Sequence, residues 1–367
     1  MTNVTRPFLP PLDEVIPFLE QIWDSRVLSN GGVLHQSLEA ELQKFLGVPY
    51  VSLFCNATVA LIVAQKALAV RGEVITTPYS FVATANAIDF AGNQPIFSDI
   101  DPASMNLDPA KLAAAISDKT AAIMPLHCYG NSCDVGGISD VARAHDIPVI
   151  YDACHSFGVE DEGGSTLRHG DISVVSLHAT KVFNTFEGGL LVTHSPEMKD
   201  RIDRLKNFGF VDETTVIDVG INGKMSEFNA AVGLAQLSHY EQGVQRRGLA
   251  DRLYREHLAT VDGITCFMPS GQIRRNFAYF PIFVTDNFRV SRDDLYEELK
   301  AHDIFCRRYF FPLISQFQMY SDLESSNPRH LPAATRISQQ VLCLPLFADL
   351  ELSEVERICQ LISMGTR

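Results

Sequence analysis

Three observations predict an α/β chain with a large, mainly parallel sheet flanked by helices and a smaller C-terminal α+β domain. Strand-like apolar runs alternate with helical patterns through the first two-thirds of the sequence, as in sheets covered by helices on both faces. Residues 147–151 are apolar enough to form a strand buried on both faces. Beyond about residue 243 the alternation gives way to a long polar helical stretch and shorter strands. The expected division is therefore a large domain of residues 1–243 and a small one of 244–367, with the N-terminal segment able to pack on the small domain.

The elements follow in order. Residues 50–54 read as a strand, 58–70 as a helix, 73–76 as a strand and 82–90 as a helix. Asp108 then Pro109 offer an N-cap and a first-turn proline for a helix through Ser117. Residues 121–127 and 147–151 form strands, with a helix near 137–145 between them. Strands are expected at 172–177 and 190–193, followed by an Ala- and Leu-rich helix over 224–240. A polar helix over 241–258, strands near 264–267 and 278–284, and terminal helices complete the chain.

Composition bounds the class. At 367 residues, 46% hydrophobic and 20% charged, the chain can bury one large core and a second, smaller one. Asn56, Gln65 and Lys66 interrupt the best candidate for a bilayer span. The first residues lack the apolar stretch of a secretory signal, so a cytoplasmic location is expected. A net charge of −14 argues against a broad nucleic-acid surface. The eight cysteines contain no Cys-x-x-Cys pair and read as reduced core thiols. Cys128, Cys133, Cys154 and His155 match no familiar zinc spacing, and no metal is expected.

The chemistry centres on Lys181. It stands in an otherwise uncharged segment, Ser176-Leu177-His178-Ala179-Thr180-Lys181, after a strand and before Glu187-Gly188-Gly189. Desolvation there lowers an amine's pKa toward the nucleophilic form that condenses with an aldehyde. A lone strand-end lysine more often snorkels to water. Asp152 shifts the balance, because it ends the buried 147–151 run, where open α/β sheets place their ligands. A carboxylate there can pair with a protonated pyridine nitrogen. A strand-end aspartate that only caps the next turn is the plainer alternative.

With these motifs the chain resembles the DegT/StrS nucleotide-sugar aminotransferases, which are fold-type I enzymes using pyridoxal 5'-phosphate (PLP). The resemblance spans nearly the whole sequence. It rests on Asn30-Gly31-Gly32, Asn56-Ala57-Thr58, Thr77-Pro78-Tyr79-Ser80-Phe81, Asp152-Ala153-Cys154-His155, the 176–189 segment and Asn222-Gly223-Lys224-Met225-Ser226-Glu227. It implies Lys181 as the Schiff-base lysine and proton shuttle, and Asp152 as the partner of the ring nitrogen. Ala57, Thr58 and Ser176 would hold the cofactor phosphate. Alanine stands where the family normally carries glycine, which suggests a backbone without positive φ at residue 57. Phe81 would stack on the ring, with Tyr79 as the alternative, and His155 would lie beside it.

The partner's Asn222 would reach the phosphate, which implies a homodimer with shared active sites. Asn30, Gly31, Glu187, Arg308 and Tyr309 would contact the nucleotide sugar. The implied reaction moves the amino group of L-glutamate, through pyridoxamine 5'-phosphate, to carbon 4 of a 4-keto-6-deoxy nucleotide sugar. The wording of the 176–189 segment leans to dTDP-4-keto-6-deoxyglucose and to lipopolysaccharide O-antigen biosynthesis. UDP and GDP sugars, and amination at carbon 3, remain open. A PLP-dependent sugar dehydratase would carry histidine at the lysine position, and a regulator without turnover leaves the Lys, Asp and Ser set unexplained.

Overall fold

A computed structural model describes residues 1–269 and 271–364. Seven strands form one continuous surface, in the spatial order Tyr50–Phe54, Gly189–Thr193, Ile172–Ser176, Ile150–Asp152, Thr120–Ile123, Glu73–Thr76 and Gln94–Phe97. Parallel bridges from Ile123 to Val149 and from Leu126 to Asp152 join its two halves. Gly189–Thr193 runs antiparallel to both neighbours, and the remaining pairs are parallel.

Side-chain alternation along these strands feeds two separate cores. Val51, Leu53, Val175, Leu190 and Val192 point to one face, where helices Val33–Leu46 and Glu227–Leu237 cover them with Leu38, Leu42, Ala230 and Ala231. Phe54, Val174 and Leu191 point to the other, against helices Ala57–Ala67 and Pro196–Leu205. Each such leucine, fully buried, contributes about 1.5–3 kcal/mol.

Local chemistry sets the helix starts. Asn56 accepts from the Val59 N–H, and Asp108 from the Ala110 N–H ahead of Pro109. The helix expected over 224–240 begins instead at Glu227, because Ser226 caps it by accepting from the Asn229 N–H. It ends at Leu237, and a new helix, Tyr240–Leu258, follows. This second helix spans residues 243 and 244 without a break. Its Tyr240 and Val244 join the large core, whereas Ala250, Tyr254 and Leu258 join a C-terminal one. That C-terminal core packs on a three-stranded antiparallel sheet of Ile264–Cys266, Phe280–Val284 and Val341–Leu344. Thr2 and Asn3 pair with Ile304 and Phe305, which ties the N-terminal segment to this region. Among the described residues no helix is long and apolar enough to cross a membrane.

Candidate active site

The carboxyl ends of the parallel strands converge on a cavity of about 330 Å³, the place where open α/β sheets hold ligands. A larger open cleft, about 720 Å³, lies at the opposite strand ends beside Glu73, Gln94 and Thr120. The smaller cavity brings together Ala57, Thr58, Phe81, Asp152, His155, Ser176, Lys181, Glu187 and Tyr309. All were singled out from the sequence.

Asp152 is 4% exposed, so its carboxylate needs partners. Its Oδ2 accepts from Thr84 Oγ1 at 2.7 Å and its Oδ1 from the Cys154 N–H at 3.2 Å. Since the Thr84 hydroxyl gives its only proton to Asp152, it accepts from Ser80 Oγ, 2.6 Å away. This relay of hydroxyls fixes the carboxylate plane.

The loop carrying Lys181 is pinned on both sides. The Lys181 N–H donates to His178 O at 2.9 Å, and the Thr185 N–H to Leu177 O at 2.9 Å. Phe183 is buried and stacks on Phe157 at 4.4 Å. The half-buried Lys181 side chain ends with Nζ 3.3 Å from the Tyr279 hydroxyl. Burial lowers the amine's pKa; Cys154, Asp152 and Tyr309 pull it upward without cancelling the shift. A larger fraction of the amine is then neutral and nucleophilic.

His155 is buried and neutral. Desolvation first, and Lys181 second, hold its pKa well below the ordinary value. The Tyr129 N–H donates to His155 Nδ1 at 3.2 Å, which leaves the ring proton on Nε2. Around it stand Tyr279, edge-on at 4.8 Å, and Phe310, parallel at 6.0 Å. The Tyr309 carbonyl accepts from Tyr79 at 3.1 Å and from Tyr129. Phe81 lies at the cavity wall, 59% exposed.

The other end of the cavity is main chain. Ala57 and Thr58 open the helix Ala57–Ala67, whose unpaired N–H groups and dipole favour an anion. Residue 57 has no positive φ, as the alanine suggested. Gly189 lets the neighbouring strand reach this helix start, since a Cβ on it would stand 2.6 Å from the Ala57 nitrogen. Ser176 Oγ accepts from the His178 N–H at 3.3 Å, so its own proton remains for a ligand oxygen. Glu187 pairs with His178 Nε2 at 3.5 Å.

Four expected site residues lie outside the cavity lining of this single chain. Asn222 is exposed and bridges to Asn207. Asn30 and Gly31 form a positive-φ turn before the helix Val33–Leu46. Glu227 caps that helix, accepting from the Leu34 and His35 N–H groups. Arg308 bonds to Asp293 at 2.7 Å and packs on Tyr296. Sequence reading missed Ser80, Thr84, Tyr279 and Phe310 as cavity residues. Ser80 lay inside the quoted 77–81 stretch, and Thr84 follows it four residues on. Tyr279 and Phe310 carried no signal.

PLP fits these residues. A buried carboxylate, a neutral imidazole, a lysine of lowered pKa, a helix N-terminus and a serine hydroxyl share one cavity, and Gly189 keeps the helix start accessible. Fold and cavity are those of a fold-type I, PLP-dependent aminotransferase. The chain belongs to the DegT/DnrJ/EryC1/StrS aminotransferase family, which it matches over residues 13–363. It is 54% identical to a dTDP-4-amino-4,6-dideoxy-D-glucose transaminase of Shigella dysenteriae, covering 98% of this chain and 97% of the relative. A transaminase of the same name from Escherichia coli is 48% identical, with the same coverage. Among solved structures, DesI with its TDP-sugar product superposes with a TM-score of 0.95 at 33% identity, covering 100% of this chain and 93% of that one.

Proposed function

We propose that the chain transfers the amino group of L-glutamate to carbon 4 of dTDP-4-keto-6-deoxyglucose, forming dTDP-4-amino-4,6-dideoxyglucose. The observation that carries this reading is the 54% identity, over 98% of the chain, to a transaminase named for that product. When bound, PLP supplies an electron sink that lets amine and carbonyl trade places. Lys181 Nζ holds the cofactor and moves a proton as a positioned acid–base group. Asp152 keeps the ring nitrogen protonated, His155 flanks the ring, and Phe81 covers its face and excludes water. Ala57, Thr58 and Ser176 hold the phosphate. Glu187 and Tyr309 face the sugar; Asn30, Gly31 and Arg308 approach the nucleotide.

In this reading residues 1–243 form the PLP-binding part, and 244–367 a smaller part that covers the cavity. The protein works as a cytoplasmic homodimer in which the partner's Asn222 completes the phosphate site. Support comes from the apolar surface around Asn222, where Phe208, Val211, Val216, Ile217, Val219 and Ile221 are all exposed. Patches of this kind mark protein interfaces. The product would feed lipopolysaccharide O-antigen synthesis.

The test is incubation with glutamate and 4-keto-6-deoxy sugars carried on dTDP, UDP and GDP, alongside a dTDP-3-keto sugar. NMR of the products reads the aminated carbon. Amination of carbon 4 on the dTDP sugar is expected; a preference for another nucleotide, or an amine at carbon 3, overturns the assignment.

A further inference from the structure

Among the described residues the Lys181 amine has one hydrogen-bond partner, and it comes from a distant part of the chain. Tyr279 lies at the start of the strand Phe280–Val284, in the C-terminal sheet. Its hydroxyl stands 3.3 Å from Lys181 Nζ. The ring is fixed on three sides by His155 at 4.8 Å, Tyr129 at 5.6 Å and Tyr309 at 5.7 Å. Its backbone is anchored as well. Asn276, 2% exposed, donates to the His155 and Phe157 carbonyls at 2.8 and 3.0 Å, and accepts from the Ala278 N–H at 3.1 Å. The turn that carries His155 and the strand that carries Tyr279 are thereby one unit.

We propose that Tyr279 is a positioning residue for the Lys181 amine: its hydroxyl keeps Nζ at the cavity wall while that amine is not bound to the cofactor. The inference rests on the reading of Lys181 as the proton-moving group. A four-carbon lysine stem carries about 2 kcal/mol of rotamer entropy, and a proton shuttle works only from a defined place. One hydroxyl can serve both protonation states, accepting from the ammonium and donating to the neutral amine. The other titratable groups around Nζ are Asp152, Cys154, His155 and Tyr309. None of these is hydrogen-bonded to it among the described residues.

Tyr279→Phe removes the hydroxyl and keeps the ring packing. The ammonium loses the stronger, charge-assisted bond, so the pKa of Lys181 should fall, by about 0.5–1 unit. This is read on the full-length protein freed of PLP, by pulse acetylation across a pH series with mass spectrometry of the Lys181 peptide. With PLP restored, kcat should fall about 10–100-fold with KM changed less than about threefold. An unshifted labelling midpoint overturns the proposal whatever the turnover. So does a loss confined to KM. Lys181→Ala, assayed in parallel, separates the two readings: turnover surviving that change sinks the role of Lys181 itself. An inactive Lys181→Ala beside a wild-type-like Tyr279→Phe sinks only the role of Tyr279.

Discussion

The two ends of the cavity are built by different means. Around Asn56–Thr58 the site is a capped helix start, pressed on by Gly189 from the next strand. Around Lys181 it is a set of side chains gathered from residues 80–84, 129, 152–155, 279 and 309–310. The first end depends on backbone geometry that a few consecutive residues settle. The second depends on tertiary packing, in which each group is oriented by another: Ser80 by Thr84, Thr84 by Asp152, Lys181 by Tyr279. Lesions at the side-chain end should therefore strike turnover, and lesions at the main-chain end should strike cofactor retention.

The sharpest contrast comes from Lys181→Ala. Turnover should drop by more than about 10³-fold, with circular dichroism unchanged, because one amine both holds the cofactor and moves the proton. Residual transamination above about one part in a thousand would remove Lys181 from its role. Asp152→Asn comes next. The amide keeps the shape but not the charge, so the half-reaction with glutamate should slow by about 10²-fold. Near-normal rates in stopped-flow absorbance would leave Asp152 as a turn residue.

Gly189→Ala tests the other end. The added methyl overlaps the Ala57 nitrogen, a clash worth about 1–3 kcal/mol. PLP should dissociate roughly tenfold more readily, while kcat at saturating PLP changes less than about threefold. Equal losses in kcat and in PLP affinity would erase the distinction between the two ends.

The smallest effect concerns pH. His127, buried and stacked on Tyr151 at 4.6 Å, is held by burial at a pKa of about 3. An unfolded histidine titrates near ~6.5, so below that pH the unfolded chain binds a proton that the folded one refuses. Stability is full above about pH 6.5 and declines as pH falls toward 3, by about 1.4 kcal/mol per unit from this residue. Denaturant titrations of His127→Gln should show a slope shallower by that amount between pH 6 and 4. A slope equal to the wild type would mean that His127 is already charged in the folded protein.

The same contrast explains what the sequence revealed. Asn56-Ala57-Thr58, the Asp152 strand end and the 176–189 loop are contiguous, and a strand followed by a capped turn announces itself in a short window. The long helices after Ser226 were legible by composition, but Ser226 itself was overlooked as a cap, so one helix was expected to start three residues early. The strand Gln94–Phe97 was missed because Pro95 sits in it, which an edge strand tolerates. Tyr279 could not be found at all. It lies 98 residues from Lys181, and a tyrosine before an apolar strand reads as core. Arg308 was expected to contact the nucleotide sugar; in this single chain it bonds to Asp293, a partner that no local pattern foretells.

One helix gives this architecture a mechanical character. Tyr240–Leu258 is 19 residues long, a beam of about 28 Å. Tyr240 fastens its near end to the Phe157 carbonyl at 2.8 Å, two residues from His155. Further along, Arg247 grips the Leu346 carbonyl at 2.9 Å and Tyr254 the Pro345 carbonyl at 3.0 Å. The two cores are thus joined through the side chains of a single helix. The turn beneath the imidazole and the segment after the last strand of the C-terminal sheet are therefore bonded to the same helix, a shared frame for the floor bearing His155 and the sheet bearing Tyr279.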